Sequence, residues 1–270
     1  MLSNFKTFKD IVAFIYYKLF YKPFYKGNKK FNYILDNKNQ KKLSELKKNG
    51  YVVIENFLSK KECDQIKNEI DLFCQKRAKE VFAMGGYDQR IYGLNLISKK
   101  AKIFLRNKNI KNILGKYANN NELTFSFTLG QKTICKKNNT GSGAGWHIDH
   151  TILKYPKAML YLVDVNEGNG PFQYIKGTHK FLKKIQIRLK NKYNFDKGKF
   201  SNKQVANIMK KNNVTLETFT HKAGCLILFD GNGIHTGAPL KTGNRYSLTN
   251  YYYFNTAGGD NFPMIKQRLL

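Results

Sequence analysis

Leu123-Thr124-Phe125-Ser126-Phe127-Thr128-Leu129 places an apolar side chain at every second position and a hydroxyl between each pair. That period of two is the signature of a half-buried β-strand and does not fit a helix. Five further segments read as strands downstream: Lys132 to Lys136, Ala158 to Val165, Phe172 to Lys176, Cys225 to Phe229 and Tyr246 to Phe254. They are short and separated by Gly, Asn and Pro, which predicts an all-β sandwich or barrel. Upstream, Gly50-Tyr51-Val52-Val53-Ile54 reads as one more strand. Ser59, three before Glu62, is a capping box that opens a helix whose apolar stripe is Cys63, Ile66, Ile70 and Phe73. A second helix is expected over about Ala101 to Leu114. Between Phe181 and Phe219 a Lys-rich, helix-leaning stretch interrupts the strands. The reading is a domain over residues 41–270 with a helical or lid insertion at about 181–219.

Residues 1–40 stand apart as a basic, aromatic, amphipathic extension and linker. Phe5, Phe8, Ile11, Val12, Ile15, Leu19 and Phe20 recur at helical spacing, with Lys6, Lys9, Lys18, Lys22 and Lys26 among them. Such a helix suits either a membrane interface or packing on the domain, so peripheral membrane contact through residues 1–26 stays open. Lysines interrupt its apolar run, so it does not read as a secretory signal. Pro23 and Gly27 end it, and Asn28 to Gln40 reads as linker.

The chain has 270 residues and a formal charge of +30. Only six of its 48 basic residues are arginines. Bidentate contacts to phosphates and base edges favour Arg over Lys, so a nucleic-acid partner is not expected. Four cysteines (Cys63, Cys74, Cys135, Cys225) without CxxC spacing make neither a zinc ribbon nor a disulfide framework. They read as buried, reduced thiols of a cytoplasmic protein, in keeping with a location in the cytoplasm or at the inner face of a membrane.

Chemistry concentrates at Trp146-His147-Ile148-Asp149. At a strand start, positions i and i+2 share a face, so the imidazole and carboxylate can meet one metal. Gly233-Ile234-His235, after the strand Cys225 to Phe229, supplies a second imidazole. Two histidines and one carboxylate leave three adjacent positions open, the arrangement suited to non-haem Fe(II). With five histidines and 18 acids in 270 residues, a chance His-x-acid pair arises in about one such sequence in three. The pair gains weight from Arg245, ten residues after His235. There, with Ser247 facing the same way, a guanidinium can hold a carboxylate in a fork.

Taken in order, these motifs resemble the phytanoyl-CoA dioxygenase-like branch of the Fe(II)/2-oxoglutarate-dependent oxygenases. The resemblance covers about Lys48 to Phe254. It includes Gly50 to Leu58 before a helix, Trp146 to Asp149, Asn169-Gly170-Pro171-Phe172, Lys176-Gly177-Thr178-His179-Lys180, and Ala223 to Asp230 leading to His235 and Arg245. The family more often has Pro-Gly-Ser-His where this chain has Lys176-Gly177-Thr178-His179, a departure in a structural turn. The resemblance implies a mainly β fold with flanking helices, built on a double-stranded β-helix (jelly-roll or cupin-like) core. It implies Fe(II) on His147, Asp149 and His235, and 2-oxoglutarate with its distal carboxylate on Arg245 and Ser247. Lys136 and Thr133, on the strand before the His-x-Asp, are candidate cosubstrate contacts. The reaction implied consumes O2, releases succinate and CO2, and hydroxylates an unactivated C–H bond of a small substrate. Related halogenases replace the metal carboxylate with a small residue; Asp149 is intact, so hydroxylation is expected. A basic lid over Lys183 to Lys211 suits an anionic or carrier-linked substrate, and the N-terminal helix a lipid-linked one.

Other readings compete for the same residues. His150 would point away from the ligand face, His179 would stabilise a turn, and His221 would sit at a strand end. Gly141 to Gly145 lacks the Gly-Lys-Ser/Thr ending of a phosphate loop and reads as a flexible loop. Trp146 and Cys225 read as packing residues. A cupin-like binding module without turnover, or a membrane-surface adaptor driven by charge, remain the alternatives to an enzyme. Nucleic-acid repair demethylases carry a second Arg soon after the first, whereas here the next is Arg268.

Overall fold

The alternating segment forms one strand, β4 (Leu123–Ile134), where two were expected, because its whole length pairs with β12 (Asn244–Phe254). The computed structural model describes residues 30–150, 154–194 and 196–254, together with Val12. The proposed membrane-contact helix therefore lies outside the described residues, and among these no helix is long and apolar enough to cross a membrane.

The chain begins with α1 (Asn37–Asn49), β1 (Tyr51–Ile54) and α2 (Lys60–Lys76). Then come β2 (Phe82–Met84), β3 (Asp88–Tyr92), α3 (Lys99–Leu105), α4 (Lys108–Tyr117) and β4. After β5 (Trp146–His147), β6 (Pro156–Tyr161) and β7 (Phe172–Ile175) come α5 (Phe181–Asn191), β8 (Lys199–Phe200), α6 (Asn202–Asn212) and β9 (Leu216–Phe219). The last strands are β10 (Leu226–Asp230), β11 (His235–Gly237) and β12. All strand pairs are antiparallel and form two sheets, β1-β10-β6-β12-β4-β3-β2 and β8-β5-β11-β7-β9.

Alternation assigns each face of the larger sheet to a different core. Val52, Ala158, Leu160, Leu226, Leu228, Leu248 and Tyr252 point outward and are covered by the helices, including the expected stripe Cys63, Ile66, Ile70 and Phe73 of α2. Each such Leu or Ile, fully removed from water, contributes roughly 1.5–3 kcal/mol. The intervening residues Tyr51, Met159, Tyr161, Ile227 and Phe229 point inward and meet Phe172, Tyr174 and Phe219 of the smaller sheet. Polar positions on this inner face build the site described below.

Four expectations are corrected. Residues 37–40 are not linker: Asp36 caps α1 by accepting from the Asn39 backbone N–H at 2.7 Å, and Tyr33 is buried in the helical core. The helix expected over 101–114 is two helices, because Asn107 accepts from the Ile110 N–H and starts α4 afresh. The insertion at 181–219 is not helical throughout; α5 and α6 alternate with β8 and β9, which extend the smaller sheet at its two edges. Only Cys63 and Cys225 are buried thiols, since Cys74 is half-buried and Cys135 exposed. The capping box is present in full, with the Ser59 and Glu62 side chains each bonded to the other's backbone N–H.

Candidate metal centre

Strand register sets the two imidazoles side by side. His147 on β5 is the direct cross-strand partner of His235 on β11, and their ring centroids lie 4.3 Å apart. β5 ends at His147, so Asp149 is not held by strand pairing on β5. Its backbone N–H donates instead to the Gly231 carbonyl at 2.8 Å, just past β10. Asp149 Oδ2 reaches within 3.4 Å of His235 Nε2, and Oδ1 within 3.9 Å of His147 Nε2. One donor atom from each of the three residues falls within 4.8 Å of the others, a spacing that a single ion can span.

The donor set suits a divalent cation. Nδ1 of His147 lies 2.8 Å from the Gly145 carbonyl, and Nδ1 of His235 2.8 Å from the Gly233 carbonyl. Each carbonyl fixes the tautomer with Nδ1 protonated and leaves Nε2 as a lone pair facing the cluster. Burial pushes the His235 imidazole down to about 3 and lowers that of His147 as well. Burial alone would raise Asp149, but the Lys157 ammonium and the two imidazoles outweigh it and hold the carboxyl at about 2. The site thus offers two neutral imidazoles and one carboxylate. Asp149 Oδ2 forms an ion pair with the Lys157 ammonium at 2.9 Å and has no further donor among the described residues.

These shifts set a pH dependence. Imidazoles that stay neutral in the fold are protonated in the unfolded chain below about pH 6.5, so the unfolded state binds more protons and stability falls as pH drops below that value. Asp149 acts in the same sense lower down, between its ordinary 3.8 and about 2. The urea midpoint of the metal-free protein should be lower at about pH 5 than at about pH 7.5. Equal midpoints would contradict the buried neutral imidazoles.

A cavity of about 120 Å³ adjoins the three residues, walled by Gln131, Ser142, Arg245, Thr249 and Tyr251 among others. Arg245 lies on the inner face of β12, 3% exposed, and its Nη1 donates to the Gly170 carbonyl. Its Nη2 is 3.5 Å from Thr133 Oγ1, its cross-strand neighbour, and its Nε is buried without an acceptor. An orphaned guanidinium donor at a cavity wall fits a carboxylate guest. Ser247 shares that face and lies behind Gln131, donating to its Oε1 at 3.3 Å. Lys136 is not brought to the site: β4 stops at Ile134, and Lys136 is exposed on the turn beyond.

Sequence reasoning missed four polar residues here. Gln131 lies two before Thr133 and donates to Ser142 Oγ at 2.7 Å as well as to Asp88. Arg90 and Asp88 form a pair on β3, 2.7 Å apart, with the Asp88 side chain fully buried. Lys157 stands on β6, and its position on the same face as Met159 and Tyr161 was a legible sign that it points inward. The Gly141–Gly145 loop is a packed wall: Gly143 has φ +83°, and a methyl there would overlap the His147 ring. His179 and His221 sit elsewhere. His179 Nε2 contacts the Lys47 carbonyl at 3.1 Å beside its turn, and His221 Nδ1 is 3.2 Å from Glu55. Trp146 is a packing residue that also donates to Asn202 Oδ1 at 3.0 Å.

The phytanoyl-CoA dioxygenase (PhyH) family model matches residues 46–246. No curated protein sequence matches the chain significantly. Among solved structures, SnoN, a non-heme alpha ketoglutarate dependent epimerase from nogalamycin biosynthesis, superposes with a TM-score of 0.59 at 15% identity, over 81% of this chain and 83% of that one. SnoK, a carbocyclase of the same biosynthesis, gives 0.60 at 13% identity, over 89% and 94%. HygX from Streptomyces hygroscopicus, with nickel, 2-oxoglutarate and hygromycin B bound, gives 0.54 at 16% identity, over 82% and 88%. At identities this low the likeness establishes the shared fold, a double-stranded β-helix.

Proposed function

The chain belongs to the phytanoyl-CoA dioxygenase family, whose members depend on Fe(II) and 2-oxoglutarate, and from that premise we propose that it hydroxylates an unactivated C–H bond of a small molecule. The observation that carries the proposal is the meeting of His147, Asp149 and His235 beside a cavity that ends on Arg245.

His147, Asp149 and His235 hold the iron, and the carbonyls of Gly145 and Gly233 keep the two imidazoles turned toward it. Bound iron and 2-oxoglutarate together supply oxygen activation, with loss of CO2 and formation of succinate. The Arg245 guanidinium takes the distal carboxylate of the cosubstrate, using the Nε donor that has no acceptor among the described residues. Thr133 steadies that guanidinium, and Ser247 acts through Gln131. The aromatic side chains Phe172, Phe229 and Tyr251 wall the cavity and keep bulk water from the reacting carbon. Asp149 occupies the position that must be small for halide, which supports hydroxylation.

Four of the nine lysines between 183 and 211 are engaged within the lid itself. Lys190 and Lys211 each donate to the other's backbone carbonyl, and Lys183 donates to Gln186 and the Asn212 carbonyl. Lys184 is buried against Asn232. These ammonium groups tie α5 to α6 and to the turn before β11.

Arg245→Ala tests the cosubstrate assignment. In calorimetry of the Ni(II)-loaded protein, 2-oxoglutarate should bind at least about 30-fold more weakly, as expected for losing a buried charge-assisted pair. Unchanged affinity for 2-oxoglutarate with intact Ni(II) binding would remove Arg245 from the cosubstrate site.

A further inference from the structure

Lys157 is the one charged residue on β6, and it sits inside the sandwich. Its exposure is 4%, on the face that otherwise carries Met159 and Tyr161. Its ammonium lies 2.9 Å from Asp149 Oδ2. Around it stand three aromatic faces, Tyr251 at 4.2 Å, Tyr155 at 5.3 Å and Phe229 at 5.9 Å from their ring centroids. Ring faces attract a cation but cannot replace a counter-ion, so the carboxylate is what balances Lys157 in this apolar setting. Gly231 also approaches Oδ2, close enough that a Cβ there would overlap the oxygen. Oδ2 is therefore held by an ammonium and packed against a backbone, with His235 Nε2 3.4 Å away.

We propose that Lys157 is a positioning residue for the metal centre: it engages Oδ2 of Asp149, so the carboxylate meets the metal through Oδ1 alone. The inference rests on the iron site proposed above. Its consequence is a matter of coordination number. Two imidazoles and a one-oxygen carboxylate leave three of six positions open, two for the cosubstrate and one for O2. A carboxylate bound through both oxygens would close one of them. The ammonium also repels a dication and draws electron density from the shared carboxylate, so it weakens metal binding while it preserves the open positions.

That opposition of sign makes the role testable in the full chain. Lys157→Met and Lys157→Gln, compared with wild type, should melt at a lower temperature when metal-free, because Asp149 loses its counter-ion. They should nevertheless bind Ni(II) tighter by about tenfold or more, from removal of one positive charge beside a dication. The anaerobic Fe(II)–2-oxoglutarate absorption band should move to longer wavelength in both. Lys157→Arg, which keeps the charge, should return Ni(II) affinity and band toward wild type. A residue that only supports the fold would lower stability and metal affinity together. Folded neutral variants with Ni(II) affinity unchanged or weakened overturn the proposal. Infrared difference spectra of the Ni(II)-loaded wild type decide independently of any variant: a carboxylate stretch splitting of the one-oxygen mode is expected, and the two-oxygen mode overturns it. If wild type binds no Ni(II) at all, the iron site itself fails and this role with it.

Discussion

His235→Ala is expected to cost more Ni(II) or Fe(II) affinity than any other single change except loss of His147 or Asp149. The imidazole supplies one of only three protein donors, it is 4% exposed, and its Nδ1 is committed to the Gly233 carbonyl. His179 and His221 cannot replace it, being held at the Lys47 carbonyl and Glu55. Changes in outer contacts of a metal site cost roughly 10–100-fold in affinity, so removal of a ligand should exceed about 100-fold. The fold should survive, because His235 is a neutral buried group whose loss only enlarges the cavity it already lines. Calorimetry with Ni(II), paired with circular dichroism, checks both halves. Retention of wild-type affinity in a folded variant would remove His235 from the centre.

The second large effect comes from a residue that donates nothing. Gly231 follows β10, and a Cβ built on it would lie far inside van der Waals contact with Oδ2 of Asp149. Its carbonyl also accepts the Asp149 N–H at 2.8 Å, so the segment cannot swing away without releasing Asp149. Gly231→Ala should therefore turn the carboxylate out of place and lower metal affinity by about 10–100-fold, with a stability loss of about 1–3 kcal/mol from overpacking. Gly198→Ala is the matched control: it lies beside Ile148, yet a methyl added there would meet its nearest neighbour at 3.8 Å, an ordinary contact distance. Equal metal affinities for the two variants would show that the space at Gly231 does not govern Asp149.

The elements that sequence made legible are those whose signal is local. Short β-rich runs marked β4, β6, β10 and β12 as strands, and the Ser59–Glu62 spacing marked the start of α2. α1 escaped because Asn37–Asn49 is almost wholly polar, with Leu46 its one fully buried apolar side chain. β8, two residues long, escaped because a pair of residues carries no period; pairing with β5 creates it. The same divide runs through the site. His147, Asp149, His235 and Arg245 stand in recognisable spacings, and the structure brings all four to one cavity. Gln131 and Arg90 reach that cavity through register between β3, β4 and β12, which no window of sequence contains, whereas Lys157 shows locally only that it shares a face with Met159 and Tyr161. Lys136 failed for a related reason: the strand expected to carry it ends two residues earlier.

The most direct test of an iron and 2-oxoglutarate centre is an anaerobic titration of the wild-type protein with Fe(II) and then 2-oxoglutarate, followed by visible absorbance. A weak charge-transfer band that grows to one equivalent of each and is absent in His147→Ala is the predicted result. A folded protein that binds Fe(II) and gives no band with 2-oxoglutarate would contradict the account and leave a cupin-like binding module in its place.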